Sequence, residues 1–169
     1  MFAQICYMLV SAVSEAAAIV IGYCIGTREY DLADRQNWKI LKVFAPISTG
    51  LAILLAVFAE PLFGLFSSDP MVIAVGQQVM WVDVLVELGR CYNIVLVRDL
   101  QAVGDVMFPV TIGIASQWVI GVGVAYLLGI WLDLGLVGIW LAFMLDECLR
   151  AVLFSLRWKK GRWRTIKTV

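Results

Sequence analysis

The chain has 169 residues and no histidine. That absence removes the commonest acid–base side chain, the usual catalytic triads and most zinc chemistry. Charge is scarce as well. Asp, Glu, Lys and Arg make up 15 % of the residues, 13 of each sign, for a net charge of zero. A balance of zero says little about partners by itself; the placement of the charges matters more. The four cysteines (Cys6, Cys24, Cys91, Cys148) all lie inside apolar stretches and none forms a C-x-x-C pair, so neither a disulfide framework nor a metal site is expected. The amino terminus has no basic segment and no small-residue cleavage site, so it does not read as a signal peptide. No water-soluble domain and no low-complexity segment is evident.

What the chain has in quantity is apolar sequence. Hydrophobic residues are 62 % and mean hydropathy is +0.91, against roughly 45–50 % apolar content in a soluble domain. Five stretches carry it: Phe2–Gly26, Ile40–Phe66, Met71–Val97, Phe108–Trp131 and Leu134–Trp158. Each holds about the 20 apolar residues that cross some 30 Å of hydrocarbon. The bases follow a pattern. Arg90 and Arg150 lie deep within stretches, and the other 11 fall in Arg28–Lys42, at Arg98, or in Arg157–Lys167. The alternate connections, Ser67–Pro70 and Leu132–Gly135, carry acids and no base. This is the positive-inside arrangement, and it predicts an all-α integral membrane protein of five transmembrane helices with its carboxyl terminus in the cytoplasm.

Local signals refine the picture. Gly22 and Gly26 have the small-x-x-x-small spacing that lets another helix come close, and the glycines of the fourth stretch (Gly113, Gly121, Gly123, Gly129) predict tight packing there. The connection Thr27–Lys39 predicts a short amphipathic helix at the cytoplasmic surface. Pro46, with Gly50 one turn on, predicts a kink in the second helix. The basic tail, RWKKGRWR, predicts a topology signal with Trp158 and Trp163 as aromatic anchors against anionic headgroups. The first base follows the first helix, which therefore runs from outside to inside. On that ground Met1 is expected to be an internal methionine, with helices missing upstream.

Candidate functional residues stand out because charge at membrane depth is expensive, about 2.5–3.5 kcal/mol per residue on insertion scales. Asp83, Glu87, Arg90 and Asn93 follow one another at spacings of four, three and three, which places them on one stripe of the third helix, extended by Gln77. Glu87 and Arg90 can pair and make the helix insertable; a surplus of polar groups also fits the wall of a substrate or ion pathway. Without partners to cover it, the stripe would face lipid. The fifth helix carries Asp146, Glu147 and Arg150. Asp146 and Arg150 can pair at i, i+4 as structural glue, while Glu147 points about 100° away and needs another partner. Glu15 reads as a lone carboxylate, either protonated or exchanging H⁺ or Na⁺. Ser116 and Gln117 predict an interhelical hydrogen bond. No catalytic residue, and no metal ligand, is expected.

The order of these elements resembles a known family. IVIGYCIGTREYDLADR, then ELGRCYN (Glu87–Asn93), then LQAVGDVMFPV, then GLVGIWLAFMLDECLRAVLFSLRWKKGRW (Gly135–Trp163) is similar, over essentially the whole chain, to the carboxyl half of bacterial MATE (multidrug and toxic compound extrusion) transporters. The resemblance implies part of a six-helix lobe in a 12-helix, two-lobe antiporter, with residues 1–169 supplying helices eight to twelve and residues 159–169 a cytoplasmic tail. It implies export of amphipathic organic cations in exchange for Na⁺ or H⁺ across the bacterial plasma (inner) membrane. Expected partners are the lipid bilayer, those cations and the missing amino-terminal lobe, with no nucleic acid and no cofactor beyond the coupling ion. The family's tenth-helix Asp falls at or near Arg90, so that cation site does not carry over residue by residue. The competing readings are a lipid-linked oligosaccharide flippase of related fold, which should hold more Arg and Lys at depth than Arg90 and Arg150, and an inert truncated membrane protein. A membrane-embedded enzyme would need His, Ser or paired acids near the interface, where this chain has no His and keeps its acids beside Arg.

Overall fold

The computed structural model describes residues 2–166. The chain is a helical bundle: α1 (Phe2–Gly26), α2 (Tyr30–Val57), the short α3 (Ala59–Gly64), α4 (Pro70–Ala102), α5 (Met107–Trp131) and α6 (Gly135–Lys159). A single 3₁₀ turn (Arg162–Thr165) follows. No strand occurs among the described residues. Four helices (α1, α2, α4 and α5) are long and apolar enough to cross a membrane. The fifth long helix, α6, has 25 residues but carries Asp146, Glu147, Arg150, Arg157 and Lys159. This is an all-α membrane protein.

Helix boundaries follow local chemistry. At α4 the Asp69 carboxylate accepts from the Met71 backbone N–H at 2.8 Å, and Pro70 occupies the first turn, where its missing N–H is no loss. Two expectations change at α2. The amphipathic segment Thr27–Lys39 is not a separate helix: no glycine or proline separates it from the apolar stretch, so from Tyr30 it runs unbroken into the membrane-length helix, which continues past Pro46 to Val57. The second apolar stretch is also divided, ending as a long helix at Val57 and resuming as α3, with Glu60 and Pro61 in the new first turns. In α5 the backbone widens to π-helical pairing over Gln117–Val124 and Leu127–Trp131.

The central strut is α4, which packs on α1, α2, α3 and α6. Its meeting with α6 is tightest at Gly89, where a Cβ would stand 2.9 Å from the Cys148 backbone nitrogen. Only glycine fits there, and the contact brings the polar faces of the two helices together. The glycines singled out by spacing behave differently. Gly22 and Gly26 face open space, and of the α5 glycines only Gly129 meets another helix, at Ile139.

The two ends of the bundle differ. At one end Phe2 of α1 packs edge-on against Phe63 and Phe66. At the other, the end rich in bases, Gly161 adopts a left-handed turn (φ +66°) that sends the chain back over the bundle. Trp163 thereby stacks on Trp158 at 4.6 Å, and both are buried. These tryptophans are not anchors in the headgroup layer as expected; they close the core, because burying two indoles inside the bundle removes more apolar surface from water than laying them on an interface. Residues 167–169, including Lys167, lie outside the described residues.

Candidate functional site

The polar stripe of α4 does not face the surrounding lipid. Asp83, Glu87 and Asn93 are buried, covered within this chain by α1, α2 and α6. Glu87 is the best partnered: Ser48 Oγ of α2 donates to its Oε1 at 2.5 Å, and Arg90 donates to its Oε2 at 2.8 Å. Arg90 serves two further acids at longer range, Asp83 Oδ1 at 3.8 Å and Glu147 Oε1 at 3.8 Å. Asn93 Nδ2 donates to Glu147 Oε2 at 2.6 Å, and Trp140 Nε1 donates to Asp83 Oδ1 at 3.2 Å.

Three carboxylates therefore converge on one guanidinium. Two acceptor oxygens in the cluster, Asp83 Oδ2 and Asn93 Oδ1, have no hydrogen-bond partner. In a buried setting such orphans are uncommon and carry a desolvation penalty, of order 1–3 kcal/mol each. The cluster is both acidic on balance and short of donors.

Glu147 was expected to need a partner outside its own helix, and it has two, Asn93 and Arg90. The polar groups of α6 are thus split by role. Asp146 pairs with Arg150, as the i, i+4 spacing predicts, while Glu147 joins the α4 stripe. Glu15 is corrected: it is not a lone carboxylate, because Arg98 reaches it at 2.6 Å across the surface of the bundle, with both side chains about half exposed. It stands apart from the cluster. Gln77 also leaves the stripe, donating to Glu60 of α3 at 3.2 Å. Ser116 makes no interhelical bond; its hydroxyl turns back to the Gly113 carbonyl of its own helix.

Two cavities meet at this site. A polar one of about 380 Å³ is bordered by Tyr7, Arg90, Gln117, Asp146, Glu147 and Arg150. A larger, mostly apolar one of about 610 Å³ lies towards the aromatic end, bordered by Phe2, Phe63, Phe66, Val79 and Met80. Ala3 and Trp140 line both. Ser48 and Trp140 are site residues that sequence periodicity did not single out. The signal for Ser48 is the polar pair Ser48–Thr49 just after Pro46 in an otherwise apolar helix; for Trp140 there is none, since its indole N–H finds Asp83 only through the fold.

Comparison with known proteins decides the family. The MatE family matches residues 1–127. The chain belongs to the MatE family. Its relatives include the uncharacterized transporter YisQ of Bacillus subtilis (strain 168), 36 % identical over 153 residues, which cover 90 % of this chain and 34 % of that protein. The probable multidrug resistance protein NorM of the same strain is 28 % identical over 145 residues, 85 % of this chain and 32 % of that protein. The multidrug resistance protein MdtK of Yersinia enterocolitica (serotype O:8 / biotype 1B, strain NCTC 13174 / 8081) is 26 % identical over 160 residues, 92 % and 35 %. The chain spans about one third of the length of these curated relatives. MatE proteins are transporters rather than enzymes, and this member is a multi-pass membrane protein of that efflux family.

Proposed function

We propose that this chain forms part of a two-lobe secondary antiporter that exports amphipathic organic cations in exchange for Na⁺ or H⁺. The observation that carries the reading is the imbalance at mid-membrane: Asp83, Glu87 and Glu147 around the single Arg90, with Asp83 Oδ2 unpartnered. A surplus of buried negative charge is stabilised by whichever cation occupies it. If the coupling ion and the exported cation compete for the same surplus, and the outward and inward states prefer different occupants, exchange follows. The apolar cavity beyond Trp140 has room for the hydrophobic body of a substrate whose charge reaches Asp83. A lipid-linked oligosaccharide carries pyrophosphate, and an acid-rich cluster opposes it.

Efflux assays on Glu87→Gln, Asp146→Asn and the double variant Glu87→Gln/Arg90→Gln, each in the full-length transporter, test this. Glu87→Gln should lose transport more deeply than Asp146→Asn. The double variant removes one charge of each sign but leaves Asp83 and Glu147 without Arg90, so its thermal midpoint is measured beside transport; where it is folded, it should be silent. Normal transport by a well-folded double variant would make the cluster structural glue and sink the assignment.

The proposed orientation places the basic end in the cytoplasm of a bacterial inner membrane. A cysteine at Lys160 should then react with an impermeant thiol reagent only after the cytoplasmic face is opened, and one at Ser68 from outside. Reversed labelling would overturn the orientation.

A further inference from the structure

The basic end of α2 carries a charge pattern that ion pairing does not use. Arg35, Lys39 and Lys42 are exposed and follow at i, i+4 and i+7, one face of the helix. No carboxylate pairs with any of them among the described residues, whereas Arg98, Arg157 and Arg164 of the same end each have one. They border a surface pocket of about 430 Å³ whose other walls are Asp34, Trp38 and Val43. The one acid there is already engaged: Asp34 Oδ1 accepts from Trp38 Nε1 at 3.2 Å and from Trp158 Nε1 at 2.8 Å. That holds the Trp38 ring in place as a wall of the pocket, and Lys159 of α6 lies over it, 5.3 Å from the ring centroid. Three cations thus line a pocket whose one acid is held by two indole N–H groups, with a fourth cation, Lys159, against the Trp38 ring.

Directly beyond the bases, the adjoining face of α2, which meets the pocket at Val43, is apolar and open. Val43, Ile47 and Leu54 are about half exposed, and between them Gly50 leaves a notch, since nothing lies within 4 Å of where its Cβ would be. From Val43 to Leu54 the helix rises about 16 Å, close to half of the roughly 30 Å hydrocarbon core. A cationic pocket at the headgroup level, continuous with an apolar track one leaflet long, matches the shape and polarity of one molecule. We infer that this face of α2 binds an anionic phospholipid, its headgroup phosphate among Arg35, Lys39 and Lys42 and an acyl chain along Val43, Ile47 and the Gly50 notch. The basis is charge complementarity joined to the apolar track, and it is independent of the transport reading.

Native mass spectrometry of the full chain, released from phosphatidylglycerol nanodiscs, tests the site. The wild type should retain one tightly held phosphatidylglycerol more than Arg35→Gln/Lys39→Gln/Lys42→Gln, and should not retain phosphatidylcholine in its place. Lys39→Gln alone should give an intermediate occupancy. Lys160→Gln/Arg162→Gln, which removes two bases from the same end, should retain lipid as the wild type does. Equal retention by the triple variant, or equal loss in the Lys160/Arg162 variant, would reduce the patch to a general topology charge and overturn the site. Inorganic phosphate titrated into protein held in neutral nanodiscs should give no signal that the triple variant lacks; such a signal would reassign the pocket to a free anion. Because the three substituted side chains are exposed, the variants should keep wild-type circular dichroism and gel-filtration behaviour.

Discussion

The cluster around Arg90 and the basic end both pair acids with bases, yet they are built on opposite principles. At the basic end the ion pairs are one to one. Arg157 holds Asp105 in a two-point contact at 2.7 and 3.1 Å and lies over the Phe108 ring, and Arg164 holds Asp31 at 2.9 Å. In the middle, one arginine is shared by three carboxylates, and only the Glu87 contact is short. Matched pairs need nothing more from their surroundings and serve to join α6 to the connection between α4 and α5, or α2 to the tail. A shared arginine leaves charge over. Ion pairing in this chain therefore separates into fastening and surplus, and the surplus sits where the two cavities meet.

The contrast is sharpened by removing one base at a time and measuring stability in detergent. Arg90→Gln should have the largest effect. It strands three carboxylates, of which Asp83 and Glu87 are buried, and breaking a buried pair costs about 3–5 kcal/mol, so the thermal midpoint should fall steeply; a variant as stable as the wild type would show that Arg90 is not what holds these acids together. Arg157→Gln strands a single acid. The expected loss is about 1.5–3 kcal/mol, that of hydrogen bonds to a charged group, and an effect as large as that of Arg90→Gln would erase the distinction between the two regions. Glu15→Gln should change least. Its pair with Arg98 is about half exposed on both sides, where such contacts are worth no more than about 1 kcal/mol, and the small loss should vanish in high salt.

Much of this arrangement is legible from the sequence, and the parts that are not share a cause. Apolar runs near 25 residues announce the long helices, and the spacing of Asp83, Glu87, Arg90 and Asn93 announces a common face, because both depend on neighbours within one helix. The Asp146–Arg150 pair is visible for the same reason. What remains hidden depends on partners far along the chain. Glu147 meets Asn93 across 54 positions, Trp158 meets Asp34 across 124, and Arg98 finds Glu15 from another helix. Glycine spacing misleads in the same way: Gly22 and Gly26 present a small face with nothing against it, while Gly89, which has no small partner four residues away, carries the close contact. A motif can state that a surface is able to accept a neighbour. Which neighbour arrives is decided by the whole bundle.

The stack of Trp158 on Trp163 has an optical consequence. Two indoles held 4.6 Å apart with planes 23° from parallel couple their electronic transitions, and rings fixed in a chiral site contribute near-ultraviolet circular dichroism that disappears when packing loosens. Of the seven tryptophans, Trp81, Trp118 and Trp131 are exposed on the bundle surface and their emission would follow the surrounding lipid. The stacked pair instead follows closure of the tail over the bundle. The chain thus carries two native spectroscopic reporters, one for the membrane it sits in and one for whether its basic end is shut.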